Sequence, residues 1–150
     1  MLELRRTDFN DSEFLDLVVL LDRELSVRDG DDHAFYAQFN KPVGLLGVVV
    51  AYVDGKAVGC GAIKRFDDHD VEIKRMFVRP ECRGKRLAEN ILTELERWAK
   101  ELGFTGYVLE TGHKQPEAIA LYKRSGYDVI PNYGQYVGVD NSICMRKGLT

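Results

Sequence analysis

The chain has 150 residues, of which 45% are hydrophobic and 30% are charged, and its formal net charge is −3. This composition predicts a folded protein, which we expect to form one domain over residues 1–150. The negative net charge argues against a general nucleic-acid-binding protein, because such proteins are usually basic overall. No apolar run approaches the roughly 18 residues of a membrane-spanning helix, and the first residues lack the pattern of a signal peptide. We therefore expect a cytoplasmic protein without a membrane partner.

The first half of the chain predicts four strands and two helices. Asn10-Asp11-Ser12-Glu13 resembles a capping box, in which side chains pair with the first N–H groups of a helix. Asp54-Gly55 is a strong signal for a two-residue hairpin turn. In chain order we predict a strand from Leu2 to Arg6, a helix ending near Val27, a short helix from His33 to Asn40, and strands from Leu45 to Val53, Lys56 to Phe66 and Val71 to Val78.

The second half predicts two helices and three further strands. An apolar stripe with spacings typical of a helix is formed by Leu87, Ile91, Leu95, Trp98 and Leu102. Gly103 and Gly126 suit the ends of helices. The remaining predicted elements are strands from Tyr107 to Glu110, Tyr127 to Ile130 and Ser142 to Arg146, and a helix beginning near Pro116. The order β-α-α-β-β-β-α-β-α-β-β predicts an α+β fold with a mixed central sheet and about four helices.

A basic segment joins the strand ending at Val78 to the helix beginning near Leu87. Its sequence is Val-Arg-Pro-Glu-Cys-Arg-Gly-Lys-Arg-Leu-Ala, from residue 78 to residue 88. A helix start exposes unpaired N–H groups and the positive end of the helix dipole, so a basic turn at that point favours phosphate binding. The segment has neither a Walker motif nor a G-x-G-x-x-G motif, which excludes the common nucleotide fingerprints.

The segment resembles the pyrophosphate loop [QR]-x-x-G-x-[GA] of the GNAT superfamily of N-acetyltransferases. Arg83 matches its first position and Ala88 its last, and Gly84 is the glycine that commonly follows the arginine. Arg86 departs from the pattern, since the family usually has glycine there. The resemblance extends to the family's fourth strand in residues 71–78 and to its N-x-x-A-x-x-L-Y-x-x-x-G-[FY] segment in residues 115–127, where Gln115 replaces the usual asparagine. It implies the mostly antiparallel GNAT sheet.

The resemblance implies acetyl transfer from acetyl-CoA to a primary amine by direct attack in a ternary complex, with no metal ion. The three cysteines and three histidines lack metal-ligand spacing. In the family, the splayed fourth strand contacts the cofactor arm through its backbone, and an N–H near Met76 would face the thioester oxygen. The residues that would contact coenzyme A are Met76, Phe77, Val78, Arg83, Gly84, Lys85, Arg86, Leu87, Ala88, Gln115 and Tyr122.

Two residues are candidates for proton transfer. Glu72 would be the base that deprotonates the amine, and in a regular strand it shares one face with Lys74 and Met76. Two alternatives remain open: Glu72 pairs with Lys74 or Lys64, or a chain of water molecules replaces it. Tyr122 matches the tyrosine that many family members direct at the coenzyme A sulfur, so it would be the acid. Its alternative is a core aromatic side chain.

The sequence does not distinguish a small amine from a protein amine as the acceptor. A homodimer is compatible with the sequence. Glu110 could hold a cationic substrate or make a structural hydrogen bond, and the segment from Tyr133 to Gly138 could cover the acceptor site. The resemblance implies that Asp29, Asp31 and Asp32 fall in the variable acceptor wall, where they either attract an amine or form a solvated acidic loop. Two alternative functions remain: a catalytically inactive module that binds acyl-CoA and regulates a partner, and a binder of a different phosphate-bearing ligand.

Overall fold

The computed structural model describes residues 1–37 and 44–148. Its element order matches the predicted order throughout, and the part of the predicted second helix at residues 38–40 lies outside the described residues. Three short 3-10 turns occur at Gly30–Asp32, Pro80–Cys82 and Gly134–Tyr136. The helices and strands are β1 Leu2–Thr7, α1 Ser12–Asp29, α2 His33–Ala37, β2 Leu45–Val53, β3 Lys56–Arg65, β4 Asp70–Val78, α3 Leu87–Glu101, β5 Gly106–Gly112, α4 Pro116–Arg124, β6 Asp128–Ile130 and β7 Ser142–Gly148.

The seven strands form one sheet in the order β1-β2-β3-β4-β5-β7-β6. Only β4 and β5 pair in parallel among these strands, which confirms the mixed, mostly antiparallel fold. Apolar side chains of α3 and α4 pack on one face of the sheet, and those of α1 pack on the other. Burial of the apolar side chains of α1, α3 and α4 against the two faces of the sheet supplies the main stabilisation of the fold.

Local sequence signals explain where the helices begin and end. The side chain of Asp11 accepts hydrogen bonds from the N–H groups of Glu13 and Phe14, which caps α1. Gly103 has a φ of +95°, the left-handed conformation that commonly follows a helix. The predicted stripe on α3 was wrong at Leu102, which lies past the helix and is 51% exposed. No helix within residues 1–37 and 44–148 has both the length and the apolarity needed to cross a membrane.

A bulge interrupts β4, so the prediction that Glu72, Lys74 and Met76 share one face of a regular strand was wrong. The register between β3 and β4 shifts between the pairs Cys60–Phe77 and Ala62–Lys74, and Arg75 has a φ of +57°. An extra residue in one strand reverses the alternation of side chains beyond it. Met76 therefore packs with the α3 side of the core, as Ile73 does, and does not share a face with Glu72. The regular strand assumed from the sequence was wrong at this point.

The parallel strands β4 and β5 separate soon after they meet. Within the described chain, their pairing covers only the pairs Asp70–Gly106, Val71–Tyr107 and Glu72–Val108. The remaining residues of β4, 73–78, have no β5 partner, so the two strands open a cleft toward their carboxyl ends. This is the splay that the family resemblance implied. It leaves backbone groups of β4 on that side to be satisfied by something other than a neighbouring strand.

Candidate functional site

A groove of about 390 Å³ lies beside the carboxyl end of β4, the basic loop, the start of α3 and one face of α4. It is lined by nine of the eleven residues predicted to contact a cofactor: Met76, Phe77, Val78, Arg83, Gly84, Arg86, Leu87, Ala88 and Tyr122. Lys85 is exposed and does not line the groove, and Gln115 lines a separate cavity instead. The sequence therefore predicted most of the groove from one loop, one strand and one helix.

The basic loop contains two residues in left-handed conformation. Gly84 has a φ of +85° and Arg86, the N-cap of α3, has a φ of +60°. The departure at Arg86 therefore falls where a glycine would adopt the backbone conformation with less strain. Arg86 thus precedes the first residue of α3, and the chain turns at Arg86 so that the amino terminus of α3 borders the groove. Its side chain lines the groove and adds positive charge there.

We expect Arg86→Gly to raise the free energy of unfolding by about 1 kcal/mol, because glycine relieves the left-handed strain. Urea denaturation measures this change. Arg97→Gly is the matched control, since Arg97 lies inside α3 and is exposed. That substitution should lower the free energy of unfolding by about 1 kcal/mol. Equal destabilisation by both substitutions would contradict a strained backbone at Arg86.

Ion pairs cross the edge of the groove between α1 and α4. Arg83 donates hydrogen bonds to the Val78 carbonyl and to Glu24, each at 2.9 Å. Arg28 pairs with Glu117 on α4 and lies 3.7 Å from Glu24. Glu24 and Glu117 both line the groove. The Arg83 side chain thus connects the end of β4 to α1, a role that sequence reasoning missed because Glu24 lies 59 positions away in the chain.

A second, smaller cavity of about 100 Å³ lies in the cleft where β4 and β5 separate. Met76 and Tyr122 line both this cavity and the groove, so the two spaces adjoin at these side chains. The other polar and aromatic side chains that line the cavity are Asp29, Tyr36, Glu72, Lys74, Arg75, Glu110, Thr111, Gln115 and Tyr136. A reactive group at the end of the groove would therefore meet a small polar chamber.

Glu72 is buried and engaged by two neighbours. It accepts a hydrogen bond of 2.8 Å from the Tyr133 hydroxyl, and its second oxygen lies 4.0 Å from the Lys74 ammonium. Pairing with Lys74 was one of the alternatives left open by the sequence. The Tyr133 contact was missed, because nothing in the sequence places residue 133 beside residue 72. A carboxylate held in this way is well placed to orient a cation and less well placed to accept a proton.

Glu110 faces the same cavity from β5, which continues past it to Gly112. Burial, together with the nearby carboxylates of Asp29 and Glu72, raises the pKa of Glu110 from the ordinary 4.5 to about 7. A carboxyl group with this pKa exchanges protons near neutral pH, as a general base must. The sequence suggested Glu110 for cation binding, and the structure makes it the stronger candidate for proton removal.

Tyr122 is buried at the junction of the groove and the cavity. Burial and then the charge of Glu110 raise its pKa, so the hydroxyl keeps its proton at neutral pH. The ring packs edge-on against Tyr127 with centroids 5.8 Å apart. The two interpretations of Tyr122 are therefore compatible, since the side chain is packed like a core aromatic and also borders both spaces.

The outer wall of the cavity comes from α1, α2 and the loop before β7. Of the three aspartates considered, Asp29 lines the cavity, whereas Asp32 lies 3.9 Å from Lys114 and Asp31 does not line it. The 3-10 turn at Gly134–Tyr136 places Tyr136 against the cavity, as expected of a covering loop. Across residues 1–37 and 44–148, no group of three or more His, Cys, Asp or Glu side chains is arranged to hold a metal ion.

Residues 8–127 match the model of the Acetyltransferase (GNAT) family, and the chain belongs to that family. An IAA acetyltransferase of Azospirillum brasilense is 34% identical over 147 residues, covering 93% of this chain and 95% of its own. A structure described as an acyl-CoA N-acyltransferase of Klebsiella pneumoniae is 31% identical, with a TM-score of 0.84 over 100% of this chain and 99% of the other. The PaiA N-acetyltransferase of Thermoplasma acidophilum, solved with coenzyme A, shares the fold at 17% identity, a TM-score of 0.73 and coverage of 99% of both chains.

Proposed function

We propose that this protein transfers the acetyl group of acetyl-CoA to a primary amine, by direct attack in a ternary complex. The observation that carries the proposal is the junction at Met76 and Tyr122, where the groove and the polar cavity adjoin. A donor in the groove would present its thioester to an acceptor in the cavity. Holding both reactants in this way lowers the entropic part of the barrier.

The groove has the features that acetyl-CoA requires. The amino terminus of α3 and the loop around Gly84 and Arg86 supply N–H groups and positive charge for the pyrophosphate. The unpaired edge of β4 at residues 76–78 supplies backbone groups for the pantetheine arm. We further propose that the Met76 N–H stabilises the developing oxyanion. The Thermoplasma relative that was solved with coenzyme A shares this fold, which supports the same cofactor here.

The cavity favours a cationic acceptor. It contains three carboxyl groups, those of Asp29, Glu72 and Glu110, and two cations, Lys74 and Arg75. Arg75 is paired with Asp22 on α1 at 2.5 Å, which offsets its charge. The remaining excess of negative charge attracts an ammonium group. A volume of about 100 Å³ admits the amine end of a slender molecule rather than a bulky ring.

The proposed reaction has three proton transfers. Glu110 removes a proton from the acceptor ammonium, directly or through one water molecule, and the neutral amine attacks the thioester carbonyl. The nitrogen loses its second proton to solvent as the amide forms and the carbon–sulfur bond breaks. Glu72, held by Tyr133 and Lys74, orients the acceptor, and its role as the base is retained as the competing assignment. Tyr122 donates a proton to the departing thiolate, and solvent later restores the hydroxyl proton.

An acceptor panel tests the proposal by measuring release of free coenzyme A thiol. The panel contains an alkylamine, a diamine, an amino acid, a peptide with a free amino terminus and a lysine peptide, with IAA included because of the Azospirillum relative's name. We expect amine-dependent thiol release and an acetylated product detectable by mass. Binding of coenzyme A without thiol release from any acceptor would favour the inactive acyl-CoA-binding module.

A further inference from the structure

Lys74 places an amine of the protein itself in the acceptor cavity. Its side chain is 10% exposed, and its nitrogen lies 4.0 Å from a carboxylate oxygen of Glu72. Lys74 directly precedes the bulge, two residues before Met76, which also lines the groove. The four-carbon stem of lysine is flexible and carries a compact amine. Lys74 therefore lines the chamber of about 100 Å³ that adjoins the proposed donor groove at Met76.

We propose that the Lys74 amine is itself acetylated by bound acetyl-CoA when no acceptor occupies the cavity. This inference rests on the proposed function for its donor. The amine lone pair forms a bond to the thioester carbonyl carbon, and the carbon–sulfur bond breaks. Glu110 or Glu72 first takes the ammonium proton, and the second nitrogen proton leaves as the amide forms. The thiolate takes up one proton, so the products are acetyl-lysine, coenzyme A thiol and one released proton.

The surroundings of Lys74 favour this reaction over acetylation of ordinary surface lysines. Burial lowers the pKa of Lys74, which increases the fraction of neutral, nucleophilic amine. Glu110, the stronger candidate for proton removal, borders the same cavity. A neutral amide would then replace a cation beside Glu72 and occupy part of the chamber. Self-acetylation would thus limit access of the acceptor amine.

The test is peptide mass spectrometry of the wild-type protein after incubation with acetyl-CoA and no acceptor. Lys56, which is exposed at the start of β3, reports the background rate of chemical acetylation. Because the bound donor is held beside Lys74, its acetylation should be roughly 10²-fold faster than that of Lys56. An amine acceptor in excess should slow the modification of Lys74 and leave Lys56 unchanged. The remaining transferase activity should follow the unmodified fraction of Lys74.

Two variants assign the modification to the bound donor. Gly84→Asp, which places negative charge in the phosphate loop, should abolish acetylation of Lys74 and preserve that of Lys56. Lys74→Arg keeps a positive charge beside Glu72 but removes the reactive amine, so its own starting activity, whatever its level, should not decline during long incubation without acceptor. Unmodified Lys74 in the wild-type protein, or equal modification in Gly84→Asp, would overturn the inference. If the protein acetylates an added amine while Lys74 stays unmodified, the inference about Lys74 fails and the proposed function stands. If Lys74 is acetylated but no added amine is, the inference is supported and the proposed amine acceptor is contradicted.

Discussion

Replacing Tyr122 with phenylalanine should lower kcat by roughly 10²-fold, the usual contribution of a positioned acid. The substitution removes one hydroxyl and keeps the ring that packs against Tyr127, so the fold and coenzyme A binding should survive. Burial keeps the Tyr122 pKa above its ordinary value, so the wild-type hydroxyl is protonated across the neutral range. Steady-state kinetics with one amine acceptor measures the change.

Tyr127→Phe is the matched control for this experiment. Tyr127 is buried beside Tyr122 and donates a hydrogen bond of 2.7 Å to Glu96, and it lines neither the groove nor the cavity. Its substitution should cost about 1 kcal/mol of stability and leave kcat close to the wild-type value. Equal turnover by Tyr122→Phe and the wild type would show that the thiolate leaves without this hydroxyl, and Tyr122 would then be a core aromatic.

Glu110→Gln should lower kcat/KM by 10²-fold to 10⁴-fold near pH 7–8, roughly the range for general-base catalysis. In the wild type, a pKa of about 7 means that the carboxylate forms as pH rises through 7, so kcat/KM should rise there. The variant should lose this step and gain activity only toward the acceptor's own pKa, about 10 for an alkylamine. Complete pH–rate profiles of both proteins measure the difference.

Glu72→Gln separates the two carboxylates. If Glu72 orients the acceptor, KM should rise while the step near pH 7 remains. If Glu72 is the base, as the sequence suggested, its loss should lower turnover most at neutral pH, and the defect should shrink toward pH 9–10, roughly the acceptor pKa. If Glu72→Gln lost the rise in kcat/KM near pH 7 and Glu110→Gln kept the wild-type pH–rate profile, Glu72 would be the base instead of Glu110.

Stability provides an independent check on the pKa of Glu110. Its folded pKa of about 7 lies above the ordinary 4.5, so the unfolded chain releases this proton first as pH rises. The contribution of Glu110 to stability is then fully present below pH 4.5 and is lost as pH rises through about 7. Glu110→Gln should therefore become more stable relative to the wild type over this interval. A constant difference in the free energy of unfolding would contradict the raised pKa.

The parts of the site that depend on local sequence were predictable. The basic loop, the helix that follows it and the order of strands are determined by short-range signals such as apolar spacing and glycine positions. These signals placed Gly84, Arg86 and Leu87 at the helix start, where the structure also has them. The splay of β4 from β5 came from the resemblance to the family rather than from the residue pattern.

The parts that depend on pairing between distant segments were not predictable. The bulge at Arg75 arises where β3 and β4 change register, and it moves Met76 away from the face of Glu72. The Tyr133 hydroxyl reaches Glu72 across 61 positions of the chain. The raised pKa of Glu110 comes first from its burial between distant segments and then from carboxylates of α1 and β4 in the same cavity. None of these features produces a periodic pattern of residues that could be recognised in the sequence.

The most direct test of the account is whether coenzyme A binds the groove and stabilises the fold. At about 100 times its dissociation constant, coenzyme A should add about 2.7 kcal/mol to the free energy of unfolding and raise Tm. Gly84→Ala and Gly84→Asp share the strain of a φ of +85°, and a Cβ there meets no atom within 4 Å, so they differ mainly in charge. Thermal melts should show the shift for the wild type and Gly84→Ala and lose it for Gly84→Asp. No shift of the wild type at millimolar coenzyme A, or an equal shift in Gly84→Asp, would contradict the account.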